Sequence, residues 1–386
     1  MSGKSSSRSD GIRVAIVTQT LDRGDGQGRI CFEIARAAAR RGWNVTALTS
    51  KIGPELRDLP NVNWVFVPWS RQFTTLAAEL AFARRTARWI SRHRSELDVV
   101  HVNGFNTFAP GDLNASHTVH SSWIKSPTHT ARIHRGPYGA YQWLYTYMNT
   151  HLERWAYGKA RLVIPTSRRI QQELLDIGVL ADRMRVILNG VDLEEFRPGE
   201  EDRAALGLPA AVALGLFVGD IRTPRKNLDT VLKAVAKVPA VHLAVVGKLD
   251  GSPYPQMATQ MGIEDRVHFL GFRRDVASLM RAADSFVFPS RYEACSLVLL
   301  EALGSGLPVI TAETAGGAEI ITPECGVVLQ DPNDVAGIAE ALQMLVNDPQ
   351  RRKQMGIAAR QIAECYSWDR MADQYLQVYE ELACRR

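Results

Sequence analysis

Short apolar runs alternate with helical stretches along most of this chain, and the alternation starts twice. "IRVAIVTQT" (12–20) reads as a buried parallel strand. "RICFEIARAAARRG" (29–42) reads as an amphipathic helix closed by Gly42, and "WNVTALTS" (43–50) as the next strand, which makes a β-α-β unit. Strands are expected again at 63–69, 98–104, 115–121 and 161–167, with helices over Thr74–Arg94 and Tyr138–Tyr157. After a polar, turn-rich stretch at 189–202 the pattern restarts. Strands are expected at 213–220, 241–248, 266–272, 285–290 and 308–313, with helices at 227–238, 275–283 and around Glu301. Alternation of this kind predicts α/β architecture: two Rossmann-like, doubly wound domains whose ligand site lies in the cleft between them, at the C-terminal strand ends.

Composition narrows the classes. The longest apolar stretch, Leu208 to Val218, contains Pro209 and is too short for the ~20 residues a bilayer requires. The polar start "MSGKSSSRSDG" predicts a disordered tail over 1–11 with no secretory signal. The five scattered cysteines show no Cys-x-x-Cys spacing and read as reduced cytosolic thiols, with packing the role of Cys295. Residues 1–200 carry 27 Lys and Arg against 18 Asp and Glu, whereas the remainder carries 19 against 23. Between Asn114 and Gln172 eight basic residues face the single acid Glu153. That half therefore either meets an anionic partner or carries a solvated basic surface.

Three motifs carry chemistry. "GDGQGR" (24–29) lacks the third glycine of the dinucleotide fingerprint, and the following strand ends in Thr49-Ser50 with no acid for a ribose, which argues against NAD. Gly26, Gln27 and Gly28 then form either a plain turn or a loop that passes close to a ligand on the acceptor side. "FVGDIRTPRKNLD" (217–229) places Arg222, Arg225 and Lys226 between a strand end and a helix start, where fixed cations suit a diphosphate. "SRYEACSLVLLEALGSGLPVI" (290–310) sets Glu293 before a helix beginning near Ser296 and Glu301 inside it. The helix's free N–H groups at Ser296, Leu297 and Val298 suit an anion, while carboxylates accept hydrogen bonds from hydroxyls. A ligand with phosphate in the middle and polyols at both ends fits: a nucleotide sugar.

The segment "YEACSLVLLEALGSGLPVI" resembles the glutamate pair of the retaining glycosyltransferases of family four (glycosyltransferase group 1), which have the GT-B fold. "ILNGVDLEEFRP" (187–198), "RVHFLGFRRDV" (266–276), the Gly316-Gly317-Ala318-Glu319 turn and "YSWDRMADQYLQVYEEL" (366–382) match in order and spacing. The resemblance implies an N-terminal acceptor-binding domain over 12–198, completed by a C-terminal helix (367–386) that crosses back, and a nucleotide-sugar domain over 199–366. It implies that Glu301 bonds the ribose hydroxyls, Glu293 holds hydroxyls of the donor sugar, and Arg222 and Lys226 bind the diphosphate. The backbone of Leu297 and Val298 supports that diphosphate, and the base lies near Gly271-Phe272. The family's Gly-Arg-Leu is here Gly219-Asp220-Ile221, which leaves Arg222 and Arg225 as alternatives. A first-domain histidine at a strand end is expected near the donor sugar, and of His117 and His120 the position favours His120. The chain has no Asp-x-Asp, so cations and the helix dipole are expected to replace a metal clamp, and no cofactor is expected. Expected partners are a nucleotide-sugar donor, with UDP-sugar favoured, and a glycan or lipid-linked acceptor, but no nucleic acid.

On the helix at 138–157, Tyr141, Tyr145, Met148, Leu152 and Trp155 form one stripe, read as core. The opposite face carries Trp143, Tyr147, Arg154 and Tyr157. Aromatics beside a cation suit an acceptor sugar or an anionic membrane surface, or pack against the neighbouring segment. The expectation is a cytoplasmic enzyme working at the inner membrane face on envelope or exopolysaccharide synthesis.

Overall fold

The computed structural model describes residues 11–24, 26–69 and 74–385. The tail expected over 1–11 lies outside these residues, apart from Gly11. In the first half, six strands form one parallel sheet: β1 (Arg13–Val17), β2 (Asn44–Thr49), β3 (Val62–Phe66), β4 (Val99–Asn103), β5 (Leu113–Ser116) and β6 (Leu162–Pro165), in the order β3-β2-β1-β4-β5-β6. The second half repeats this plan with β7 (Ala213–Val218), β8 (Val241–Val246), β9 (Val267–Gly271), β10 (Ser285–Phe288), β11 (Val309–Ala312) and β12 (Gly326–Leu329), ordered β9-β8-β7-β10-β11-β12. Both sheets thus have the doubly wound order, whose switch point falls beside the first strand of each half. β12 lies beyond the strands legible from sequence.

The elements used below are α1 (Gly26–Arg40), α2 (Thr75–His93), α3 (Pro137–Lys159), α4 (Arg168–Leu175), α5 (Leu228–Lys237), α6 (Leu297–Gly304) and α7 (Trp368–Cys384). Side-chain caps fix several starts: Thr74 on α2, Ser167 on α4 and Ser367 on α7 each accept a backbone N–H. Residues 184–212 link the sheets through turns and isolated bridges. Among them, Val191 N–H donates to Tyr366 O at 2.9 Å and Trp368 N–H donates to Val191 O at 3.3 Å. This exchange turns the chain so that α7 lies against α1. Trp368, Tyr375 and Tyr379 are buried there with Val14, Ile34 and Ala38 of the first half, each full burial contributing roughly 1.5–3 kcal/mol. His101 of β4 meets the Tyr379 hydroxyl at 2.5 Å, which ties the helix to the sheet.

Two expectations about local structure change. The 24–29 glycine motif is not a free loop: Gly26, Gln27 and Gly28 form the first turn of α1, and Asp25 lies outside the described residues. On α3 the buried stripe is Thr146, Asn149, Glu153, Ala156 and Tyr157, not the aromatic one read from sequence. Met148 is exposed and Tyr157 is fully buried with its hydroxyl 2.8 Å from Ser116 Oγ. The stripe is polar because it serves hydrogen bonds. Glu153 accepts from His120 N–H at 2.7 Å, Ser121 N–H at 2.9 Å and His120 Nδ1 at 3.0 Å, and so fastens the turn His120–Trp123.

Candidate active site in the cleft between the sheets

The C-terminal ends of the two sheets face each other across a cavity of about 450 Å³. Its floor comes from the second half. β10 runs out at Phe288, and the following loop pairs with residues 314–317: Glu293 N–H donates to Thr314 O, Gly316 N–H to Glu293 O and Ser296 N–H to Gly316 O. A side chain at Gly316 would place Cβ 1.7 Å from Ala294 O, so only glycine allows this approach. The loop delivers Glu293, Cys295 and Ser296 to the cavity and starts α6 with Ser296 as the flanking residue. Because Gly316 O takes the Ser296 N–H, the next N–H groups at the helix start, without partners inside the helix, belong to Leu297 and Val298, two residues that border the cavity.

Arg225 and Lys226 reach the same wall from the turn Pro224–Lys226. Asn227 ends that turn at φ 68° and opens α5; its side-chain amide donates to Pro289 O at 2.8 Å and to Pro332 O at 2.6 Å. These bonds hold a left-handed conformation that a bulky residue would strain. Lys226 forms an ion pair with Glu293, and Arg225 Nη1 lies 3.5 Å from the same carboxylate oxygen. Burial first, then Arg225 beside it, press the Lys226 ammonium well below the usual lysine range. Burial likewise lowers Arg225. A site with two crowded cations is relieved by an arriving anion.

The other sequence-derived positions separate. Arg222 is exposed, folds onto Asp220 (Nε to Oδ1, 2.9 Å) and is not on the cavity wall. Glu301 sits one and a half turns into α6, half-buried, outside the wall; burial raises its carboxyl to about 7, with Arg29 of α1 acting in the opposite direction. Gly271 ends the edge strand β9 at φ 71°, and the exposed Phe272 follows it, at the same sheet end but off the wall. Cys295 stays a thiol, pushed up to about 12 by burial.

From the first half come Gly26 and Gln27 of α1, and a side chain at Gly26 would lie 3.9 Å from Leu297, so the starts of α1 and α6 oppose each other. Gly28 is buried within α1 and does not border the cavity. β5 ends at Ser116, five residues earlier than the sequence suggests. His117, not His120, is therefore the strand-end histidine bordering this cavity. Its Nε2 meets Asn103 Oδ1 at 3.1 Å, which requires Nε2 to carry the proton, and burial holds the ring at about 4 and hence neutral. His120 instead lines a neighbouring cavity with Glu79 and Tyr145.

Tyr292, next to Glu293, has no counterpart in the sequence reading. It crosses the cleft and is buried: its hydroxyl donates to Glu173 Oε2 at 3.1 Å, Trp123 packs 5.0 Å away and the Arg169 guanidinium lies 5.0 Å over its ring. Ser167 Oγ donates to Ala294 O at 2.6 Å, and Arg168 N–H to Glu319 Oε1 at 2.7 Å. These contacts lock the Glu293 loop to the opposite half. Its aromatic character beside a glutamate was the available signal, but the partner surface is visible only in three dimensions.

Known proteins match nearly the whole chain in sequence and fold. Residues 24–195 match Glycosyltransferase Family 4 and residues 199–362 match Glycosyl transferases group 1. A D-inositol 3-phosphate glycosyltransferase of Xylanimonas cellulosilytica is 30% identical over 97% of this chain and 98% of its own. One of Saccharomonospora viridis is 33% identical over 57% of this chain and 55% of its own. Among solved structures, sucrose-phosphate synthase from Thermosynechococcus elongatus superposes with a TM-score of 0.78 at 23% identity, covering 97% of this chain and all of that one. Anabaena HepE in complex with UDP and glucose superposes at 0.71 with 20% identity, covering 96% and 99%. The chain belongs to the group 1, family four glycosyltransferases and has their GT-B fold.

Proposed function

We propose that this glycosyltransferase moves a sugar from a nucleoside diphosphate, UDP by preference, to a hydroxyl of a glycan or lipid-linked acceptor with retention of anomeric configuration and without a metal. The observation that carries the donor half is the convergence of Lys226, Arg225, Glu293 and the start of α6 on one cavity wall. Lys226, Arg225 and the N–H groups of Leu297 and Val298 hold the diphosphate, which gains negative charge as its bond to the sugar breaks. Its arrival draws Lys226 away from Glu293 and frees that carboxylate for donor-sugar hydroxyls. Glu301 accepts from the ribose, and Gly271 and Phe272 flank the base. The acceptor oxygen attacks the anomeric carbon while a leaving phosphate oxygen takes its proton, so atoms and charge balance with no protein nucleophile. The solved complexes of a fold neighbour with UDP and with UDP-glucose favour the uridine donor.

The acceptor is sought among envelope glycans, and the names of the relatives add a phosphorylated cyclitol to the candidates. Peripheral attachment to an anionic membrane is supported by α3, where Trp143 and Tyr147 stack at 5.1 Å on an exposed face near Arg154. No helix of the described residues is long and apolar enough to cross a membrane. The test of the donor half is incubation with a panel of UDP, GDP and ADP sugars. Thermal stabilisation and slow release of nucleoside diphosphate are expected for UDP sugars, whereas indifference to every nucleotide sugar would refute the reading.

A further inference from the structure

Beside the donor cavity lies a second one, of about 370 Å³, built from the first half of the chain. The two share Gln27, His117 and Thr118, so a molecule in one touches a molecule in the other at that seam. Their chemistries differ. The donor cavity carries Arg225 and Lys226, whereas among the described residues the second wall carries neither arginine nor lysine. It holds instead the carboxylate of Glu79, the amides of Gln19, Asn103, Asn106 and Asn149, and the side chain of Phe105. Glu79 is buried, which raises its carboxyl above the ordinary range; the Tyr145 hydroxyl and Asn149 Nδ2 at 3.3 Å donate to it, and His120 on the same wall, its Nδ1 3.0 Å from Glu153, acts on it in the opposite direction to burial. The basic excess of this half does not enter. Lys125, Arg132, Arg135, Arg154 and Lys159 are all exposed and off the wall.

We propose that this second cavity binds the receiving end of the acceptor as an uncharged polyhydroxylated sugar or cyclitol, and disfavours a phosphorylated one. Amides and a carboxylate match hydroxyls, which both donate and accept, and Phe105 offers an apolar face to sugar C–H groups. A phosphate has only acceptors to offer at physiological pH. Beside Glu79 it meets a like charge with no arginine fork to receive it. Any charge on the acceptor then sits at the exposed basic face outside, not at the hydroxyl that reacts. The inference rests on the glycosyltransferase reading above and supplies the substrate class for its acceptor half.

The experiment is saturation-transfer NMR on the full chain, with and without UDP. The probes are glucose, galactose, mannose, N-acetylglucosamine and myo-inositol, each against its monophosphate, including D-inositol 3-phosphate. UDP binding to the same samples reports on the donor half separately and also shows that each variant is folded. At least one uncharged compound is expected to bind, more tightly than its phosphate by ~10-fold or more. Glu79→Gln and the less buried Gln19→Ala should each weaken that binding by ~3- to 10-fold while UDP affinity is kept, and Asn149→Arg should narrow or invert the preference against phosphate. The proposal is overturned if phosphates bind wild-type protein as tightly as their parent sugars, if no uncharged compound binds, or if both Glu79→Gln and Gln19→Ala bind sugars unchanged.

Discussion

Glu301→Gln is a sensitive probe of the helix that carries the proposed donor site. Burial raises the Glu301 carboxyl from its ordinary 4.5 to about 7. Between those values the folded chain holds a proton that the unfolded chain has released, so this group's contribution to stability is complete below about pH 4.5 and is lost as pH rises through 7. In a dry site that difference is worth ~3 kcal/mol, and Glu301 keeps part of its surface in water, which brings the expectation to ~1.5 kcal/mol. Glutamine keeps the shape and removes the titration. Urea unfolding, followed by far-UV circular dichroism at pH steps from 5 to 8, should show wild-type protein losing ~1.5 kcal/mol relative to Glu301→Gln, with the loss already under way at pH 5 and levelling off above about pH 7. UDP affinity should move the other way in wild-type protein and rise with pH as the carboxylate forms, because an ionised acceptor bonds ribose hydroxyls more strongly. That rise should be absent in the variant. Parallel stability curves for the two proteins would refute the buried, proton-holding Glu301 on which the reasoning depends.

Other perturbations separate neighbours that the sequence could not. Arg222→Ala should leave the donor KM within ~3-fold, because that guanidinium is spent on Asp220, whereas Arg225→Ala should raise it by ~10-fold or more; steady-state kinetics with varied donor decides. Tyr292→Ala removes a buried ring from between Trp123 and Arg169 and should cost ~3–5 kcal/mol in contacts across the cleft, which small-angle scattering would report as an opened, larger particle. Unchanged dimensions would mean that other contacts hold the halves together. Wild-type protein should float with anionic liposomes at low salt and release as salt rises, and Trp143→Ala with Arg154→Glu should stay in the soluble fraction while still binding UDP.

The double α/β plan was legible because both halves keep strand-length apolar runs between amphipathic helices, and because the 290–310 segment sets its two glutamates around a helix start. What escaped were features decided by side-chain hydrogen bonds and by the opposite half. The α3 stripe was misassigned because hydrophobicity does not choose its face: Glu153 and Asn149 are buried to serve His120, Ser121 and Glu79, and no periodicity of apolar residues records that. The lone acid in a basic segment was the clue. His117 and His120 exchanged places because a strand's end depends on where its neighbour stops pairing, here at Ser116 opposite Pro165. Gly26 opens α1, and its closeness to Leu297 belongs to the cleft, which no local pattern encodes. Arg225 prevailed over Arg222 as the wall residue because Asp220, where the family has arginine, captures the nearer cation.

The central claim is that a nucleoside diphosphate sits against Lys226 at the start of α6. Isothermal titration of UDP into wild-type protein and Lys226→Ala, without metal and in the presence of chelator, tests it directly. The account predicts saturable binding to wild-type protein and a weakening of ~10- to 100-fold in the variant, since a buried charge-assisted bond is lost while the fold, reported by circular dichroism, is kept. Equal UDP affinity in the two proteins, or binding that appears only when a divalent metal is restored, would contradict it.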